Sequence, residues 1–125
     1  MAGFGGIGWF EIGTDDPAAA EKFYGDVLGW TVSRDDGDLP GFQMFTAGYG
    51  PGLHAGGLFD IGAQPGYAVF GVQVEDVAET CRRVELAGGS VKEAPRVTPA
   101  GVTFAHLLDP KGNRFEVFSR PPGGE

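Results

Sequence analysis

An acidic side chain lies between two apolar ones in the last predicted strand of this sequence. Glu116 is flanked by Phe115 and Val117 in the run RFEVF, which follows the turn DPKGN. Such alternation is typical of a β-strand with one buried face. The carboxylate therefore faces either water or a cavity, where it could anchor a ligand or hold a metal ion. We favour the cavity.

Two histidines lie near this strand or near its counterpart in the first half of the chain. His106 belongs to VTFAHLL, so the tight turn at DPKGN would place it across from Glu116. Arg114 shares the strand face of Glu116 and is a possible partner for its carboxylate. His54, in GPGLHAGG, is better interpreted as a loop residue.

A second carboxylate occupies a similar setting near the N-terminus. Glu11 and Trp9 are two residues apart in WFEIG, so they share one face of the predicted strand. Phe10 and Ile12 point the other way, toward the predicted helices. Glu11 is about as consistent with a cavity as with solvent.

Length and charge limit the classes of function. The chain has 125 residues, one cysteine and a formal net charge of −8, which argues against nucleic acid and anionic membrane surfaces as partners. The single cysteine suits a reducing cytoplasm, and no apolar run has the length of a membrane span. We expect a cytoplasmic protein with one domain, residues 1–125.

The sequence matches itself when it is shifted by sixty residues. Identical pairs fall on helix caps and stops, such as Asp16 with Asp76 and Gly29 with Gly89. Apolar residues recur at helical spacing in two stripes: Ala20, Phe23, Tyr24, Val27 and Leu28, and then Val77, Cys81 and Val84. With the capping residues they predict helices at about residues 17–28 and 77–87. Strand patterns surround each helix, so each half has the order β-α-β-β-β. The predicted modules span about residues 5–61 and 65–121, and the fold class is α+β.

Three segments carry a resemblance to a known superfamily. They are DDPAAAEKFYGDVLGW, VEDVAETCRRVELAGG and DPKGNRFEVF. Together they resemble the vicinal-oxygen-chelate superfamily, which contains glyoxalase I, extradiol dioxygenases and the bleomycin- and fosfomycin-resistance proteins. The resemblance implies two tandem β-α-β-β-β modules that form a curved mixed sheet around a cavity.

The resemblance also indicates where a metal would bind in metal-dependent relatives. The four family positions correspond to Trp9, Gly56, Val69 and Glu116, the first belonging to a subgroup with tryptophan in place of the first ligand. Only Glu116 among them offers a ligand atom, whereas transition-metal sites use three or more donors. We therefore expect no metal cofactor. A divalent metal held by Glu116 with His106 or His54 is the alternative, and a two-residue shift in the register of the fourth strand would put His54 in place of Gly56. A set of His106, Glu116 and Glu11 ranks second to the metal-free hypothesis.

We therefore expect a small-molecule-binding protein of the glyoxalase and bleomycin-resistance type. We also expect it to form a homodimer, with Leu53, Leu58 and Phe59 as candidate contacts. The alternative is a metal-dependent lyase, isomerase or dioxygenase of the same superfamily. Catalytic residues are not assigned. The candidate ligand-binding residues are Trp9, Glu11, Met44, Tyr67, Val69, Phe104, His106, Glu116 and Phe118.

Overall fold

The structure, a computed structural model, describes residues 4–32 and 56–121 and, for residues 42–46, the backbone alone. The element order is β-α-β-β-β twice, which confirms the predicted α+β class. The elements are β1 (Ile7–Thr14), α1 (Pro17–Leu28), β2 (Thr31–Val32), β3 (Phe42–Thr46), β4 (Gly56–Asp60), β5 (Tyr67–Gln73), α2 (Val77–Leu86), β6 (Ser90–Val97), β7 (Thr103–Leu108) and β8 (Arg114–Ser119).

The chain forms two compact units. The N-terminal unit is residues 9–68, and the C-terminal unit combines residues 69–125 with residues 1–8. In the N-terminal unit β1 pairs in parallel with β4, and β4–β3 and β3–β2 are antiparallel. In the C-terminal unit β5 pairs in parallel with β8, and β8–β7 and β7–β6 are antiparallel. Each unit thus contains a mixed sheet.

Both helices begin and end as the sequence predicts. The carboxylates of Asp16 and Asp76 accept hydrogen bonds from the first-turn amides of Ala19 and Glu79. The left-handed glycine Gly29 follows α1, and Gly88, with φ of 99°, follows α2. No helix of the described residues is long and apolar enough to cross a membrane.

Helix α2 packs its predicted stripe on the C-terminal sheet. Val77 and Cys81 lie in a buried cluster with Ala105, Leu107 and Val117. Burial raises the pKa of the Cys81 thiol, and the charge of Glu85 adds to the effect. This cluster fixes one face of the sheet against the helix, so alternate residues of β7 and β8 must point to the opposite face.

Helix α1 buries less of its apolar surface than the sequence predicts. Ala20 and Tyr24 pack against Leu58, together with Phe10, Ile12, Trp30 and Val32. Phe23, Val27 and Leu28, assigned to the same stripe, are exposed. The prediction that the whole stripe is buried was wrong, because only the part of it that carries Ala20 and Tyr24 packs on the sheet. Leu58 is fully buried, so it cannot be the dimer contact that the sequence suggested; Leu53 lies outside the described residues, and Phe59 is half-buried.

The turn between β7 and β8 has the chemistry expected of DPKGN. The Asp109 carboxylate accepts hydrogen bonds from the side chain and backbone of Asn113 and from the Lys111 amide. These bonds, led by the one from the Asn113 side chain, lower the pKa of Asp109. Gly112 takes a φ of 87°. The turn fixes the register that places His106 opposite Glu116.

Candidate ligand-binding face

The face of the C-terminal sheet opposite α2 is rich in polar side chains. We call it the polar face. Cross-strand pairing places Glu116 between Gly71 on β5 and His106 on β7, and His106 next to Glu93 on β6. One row across four strands thus contains an imidazole and two carboxylates.

His106 and Glu116 form a buried pair on this face. His106 is 1% exposed and Glu116 is 4% exposed. The His106 Nε2 atom lies 3.5 Å from Glu116 Oε2. The sequence prediction that the two residues flank one hairpin and face each other is confirmed. An ionisable carboxylate with so little contact with water is costly to bury unless polar neighbours stabilise it.

Arg114 joins His106 to Glu93. Its Nε atom donates a 2.9 Å hydrogen bond to His106 Nδ1, and its Nη2 atom donates a 2.7 Å bond to Glu93 Oε2. A guanidinium only donates, so Nδ1 of His106 must accept and carries no proton. When the ring is neutral, its proton is therefore on Nε2, the atom that faces Glu116.

An aromatic row runs beside the polar one. Phe104 and Phe118 are directly opposite each other on β7 and β8. The guanidinium of Arg96 lies 5.5 Å from the centre of the Phe104 ring, and that of Arg120 lies 5.4 Å from the centre of the Phe118 ring. Val69, another predicted ligand-binding residue, is buried in the same unit.

The N-terminal unit has its own buried carboxylate. Glu11 is 4% exposed, and the Tyr67 hydroxyl donates a 2.6 Å hydrogen bond to its Oε2 atom. Gly13 makes this contact possible, since a Cβ atom there would come within 2.5 Å of the Tyr67 ring. Trp9 is half-buried on the same strand. Met44 lies on β3, and its side chain is outside the described part.

The pairing of β1 with β4 revises one sequence assignment. Glu11 and Met44 both pair with Gly57, as Gly71 and His106 pair with Glu116. The counterpart of Glu116 is thus Gly57, not Gly56. The position equivalent to Glu116 is therefore one residue further from His54 than the sequence alignment placed it. His54 itself lies outside the described residues. A glycine still occupies the position, so it offers no side-chain ligand.

The sequence profile of the Glyoxalase/Bleomycin resistance protein/Dioxygenase superfamily matches residues 6–117. The chain belongs to this superfamily. It is 35% identical to the probable chloroplastic lactoylglutathione lyase of Arabidopsis thaliana over 117 residues, covering 83% of this chain and 33% of that protein. It is 38% identical to the anthracycline biosynthesis protein DnrV of Streptomyces peucetius over 116 residues, covering 90% of this chain and 41% of DnrV.

A solved structure shares the superfamily fold. The Mn(II)-bound glyoxalase of Novosphingobium aromaticivorans superposes with a TM-score of 0.59 and 26% identity, covering 93% of this chain and 39% of that one. The chain spans less than half the length of these relatives.

The polar face of this superfamily member does not fit the usual surroundings of a metal-ligating histidine. Such a histidine normally donates its second ring N–H to a carboxylate or carbonyl, which strengthens it as a ligand. Here Nδ1 of His106 accepts from the Arg114 cation. The described residues of the polar row offer two further oxygen donors, Glu116 and Glu93, and the latter is bonded to Arg114.

Sequence reasoning found His106 and Glu116 but missed their neighbours. It paired Arg114 with Glu116 and gave no role to Glu93, which lies within SVKEAP. The position of Arg114, two residues before Glu116, was a usable signal that the arginine faces the site. Nothing local indicates that β6 brings Glu93 to the same row.

Proposed function

We propose that this chain is a small-molecule-binding protein of the superfamily, anchored by Glu116 and His106 and lacking the usual transition metal. The observation that carries the proposal is the buried imidazole–carboxylate pair on the polar face. Ligand sites are mainly apolar, with a few well-placed polar groups that fix orientation. The pair supplies those groups, and Val69, Phe104 and Phe118 supply apolar surface in the same unit.

Charge favours a cationic ligand with a flat apolar body. The chain has 17 acidic and 9 basic side chains, and the resulting field attracts cations. Glu116 is an acceptor for a charge-assisted hydrogen bond from an ammonium group. We further propose Trp9, Glu11, Met44 and Tyr67 of the N-terminal unit as ligand-binding residues, with the Trp9 ring as a stacking wall.

The competing function is a metal-dependent lyase, isomerase or dioxygenase that uses Glu116 with His106 or His54. The names of the lyase and glyoxalase relatives favour this class. Against it, Nδ1 of His106 accepts a hydrogen bond from the Arg114 cation instead of donating one to a carboxylate or carbonyl.

Metal analysis and a paired ligand screen distinguish the two functions. Protein purified without a histidine tag should contain well under one equivalent of zinc, iron, nickel or manganese per chain. Naphthylmethylamine should raise the melting temperature more than naphthoate, which has the same ring and the opposite charge. Glu116→Gln should abolish this difference, and Glu85→Gln, an exposed control on α2, should keep it. One equivalent of metal that is lost in Glu116→Gln would contradict the metal-free proposal and favour the metal-dependent enzyme instead.

We also propose a homodimer. The exposed apolar side chains Phe23, Val27 and Leu28 of α1 offer contact area in place of Leu58. Light scattering should give about twice the 13.1 kDa chain mass at micromolar concentration. A Phe23→Glu/Val27→Glu variant should give the monomer mass, and a monomeric wild-type chain would contradict the proposal. The cytoplasmic location stays a prediction.

A further inference from the structure

Arg114 has an unusual position between an acid and an imidazole. It bonds Glu93 through Nη2 and His106 through Nε, so both ends of the guanidinium edge are engaged. The side chain of Arg114 is 19% exposed and that of Glu93 is 39% exposed, so the bond to the buried His106 is better shielded from water than the bond to Glu93. An arginine stays protonated in proteins, so Arg114 remains a donor and can bond Nδ1 only while that atom carries no proton.

The strand geometry of β6 explains how Glu93 reaches Arg114. Pairing between β6 and β7 is irregular on both sides of Glu93, with register shifts between Val91 and Glu93 and between Glu93 and Arg96. Irregularities of this kind re-aim a side chain relative to a regular strand. Glu93 pairs with His106 across the strands, and its carboxylate reaches the guanidinium that contacts the same ring.

We infer that Arg114, held by Glu93, is a positioning residue. It keeps Nδ1 of His106 free of a proton and thereby opposes the binding of a metal ion by the ring. The inference rests on the proposed function and specifies the ligand that the site accepts. His106 presents an Nε2–H donor beside the Glu116 acceptor, at 3.5 Å. The matching ligand offers an ammonium hydrogen to Glu116 next to an oxygen acceptor for the Nε2–H group, as in an amino alcohol.

The same hydrogen bond opposes metal ligation through electrostatics. A ring nitrogen binds a metal through its lone pair, so Nε2 could bind only after losing its proton. With Nδ1 already accepting from Arg114, that loss would leave an imidazolate beside Glu116 and Glu93. A guanidinium donor also withdraws electron density from the ring, the reverse of the carboxylate that supports a metal-ligating histidine.

Nitrogen NMR of the ligand-free protein tests the inference without any substrate. The chain has two histidines, so His54→Asn leaves the His106 ring as the one remaining imidazole. In this background at neutral pH we expect Nδ1 to be unprotonated and Nε2 to be protonated. Arg114→Leu should give a measurable population with a proton on Nδ1, and Arg114→Lys should restore the original pattern in part. Arg83→Leu removes an exposed arginine bonded to Glu79 and should leave the pattern unchanged.

Zinc titration provides the second readout. Arg114→Leu in the same background should bind Zn²⁺ at least tenfold more tightly than the parent protein, while Arg83→Leu should match the parent. A proton on Nδ1 in the parent, or equal Zn²⁺ affinity in parent and Arg114→Leu, would overturn the inference. Circular dichroism and melting temperature establish that the variants are folded. Because these measurements use ligand-free protein, they test the role of Arg114 independently of the small-molecule screen. Either hypothesis can therefore be contradicted while the other is supported.

Discussion

The hydroxyl of Tyr67 donates a 2.6 Å hydrogen bond to the buried carboxylate of Glu11, 56 residues away in the chain. The bond joins the first strand of the N-terminal unit to the last residues of that unit. A carboxylate that is 4% exposed depends on such donors, because few waters can replace them.

Tyr67→Phe should therefore lower the free energy of unfolding by roughly 1–3 kcal/mol, since the ring is kept while the donor to Glu11 is lost. Urea denaturation measures the change. In a double-mutant cycle with Glu11→Gln, the two effects should be non-additive because both remove the same charge-assisted bond. Additive effects would show that Tyr67 contributes to stability by packing alone.

Glu116→Gln should leave the fold intact and weaken binding of naphthylmethylamine by roughly ten- to a hundredfold, because a hydrogen bond to a charged group is worth about 1.5–3 kcal/mol. The amide keeps the volume of the carboxylate and loses the charge. Isothermal titration calorimetry gives the ratio of affinities. An unchanged affinity would exclude Glu116 as the anchor.

Trp9→Ala should weaken binding of the same amine by removing the aromatic wall, with little effect on the charge preference. Trp9→Phe is the matched control, since it keeps a ring and should retain most of the affinity. For each variant, the measured quantity is the ratio of its affinity for naphthylmethylamine to its affinity for naphthoate. A stacking role would be contradicted if Trp9→Ala and Trp9→Phe lost the same affinity for the amine and the affinity ratio also changed.

Much of the fold could be predicted because its signals are local. Asp16 and Asp76 precede apolar helical stripes, and DPKGN separates two alternating strands. The hairpin alone places His106 opposite Glu116, so this pair was also predictable. These features need only a few neighbouring residues, and the structure confirms them.

The rest depends on contacts between distant strands. The bond from Arg114 to Glu93 spans 21 residues and depends on irregular pairing in β6, which no local pattern specifies. The one-residue shift that makes Gly57 the counterpart of Glu116 also comes from strand pairing. For α1, periodicity identified a helix but could not tell how much of its apolar stripe is buried.

Gly56→Ala should destabilise the protein by about 3 kcal/mol or more, because the added Cβ would lie 1.9 Å from the Phe10 carbonyl oxygen. The backbone of β1 would have to move, and Phe10 packs against the core residue Leu58. Gly8→Ala is the matched control, since its Cβ would meet the Phe118 ring at an ordinary 3.5 Å. Thermal denaturation should separate the two variants clearly, and equal melting temperatures would contradict the close approach.

The Asp109 turn should make stability depend on pH in the acid range. Hydrogen bonds, first from the Asn113 side chain, lower the pKa of Asp109 in the folded protein. A carboxylate with a lowered folded pKa stabilises the protein above its unfolded pKa of about 3.9, and this contribution is lost as pH falls through the folded value. The melting temperature of Asp109→Asn should therefore lie below that of the wild type at pH 6, and the gap should narrow steadily below pH 4. A gap that stays constant from pH 6 to pH 3 would show that ionised Asp109 does not stabilise the turn.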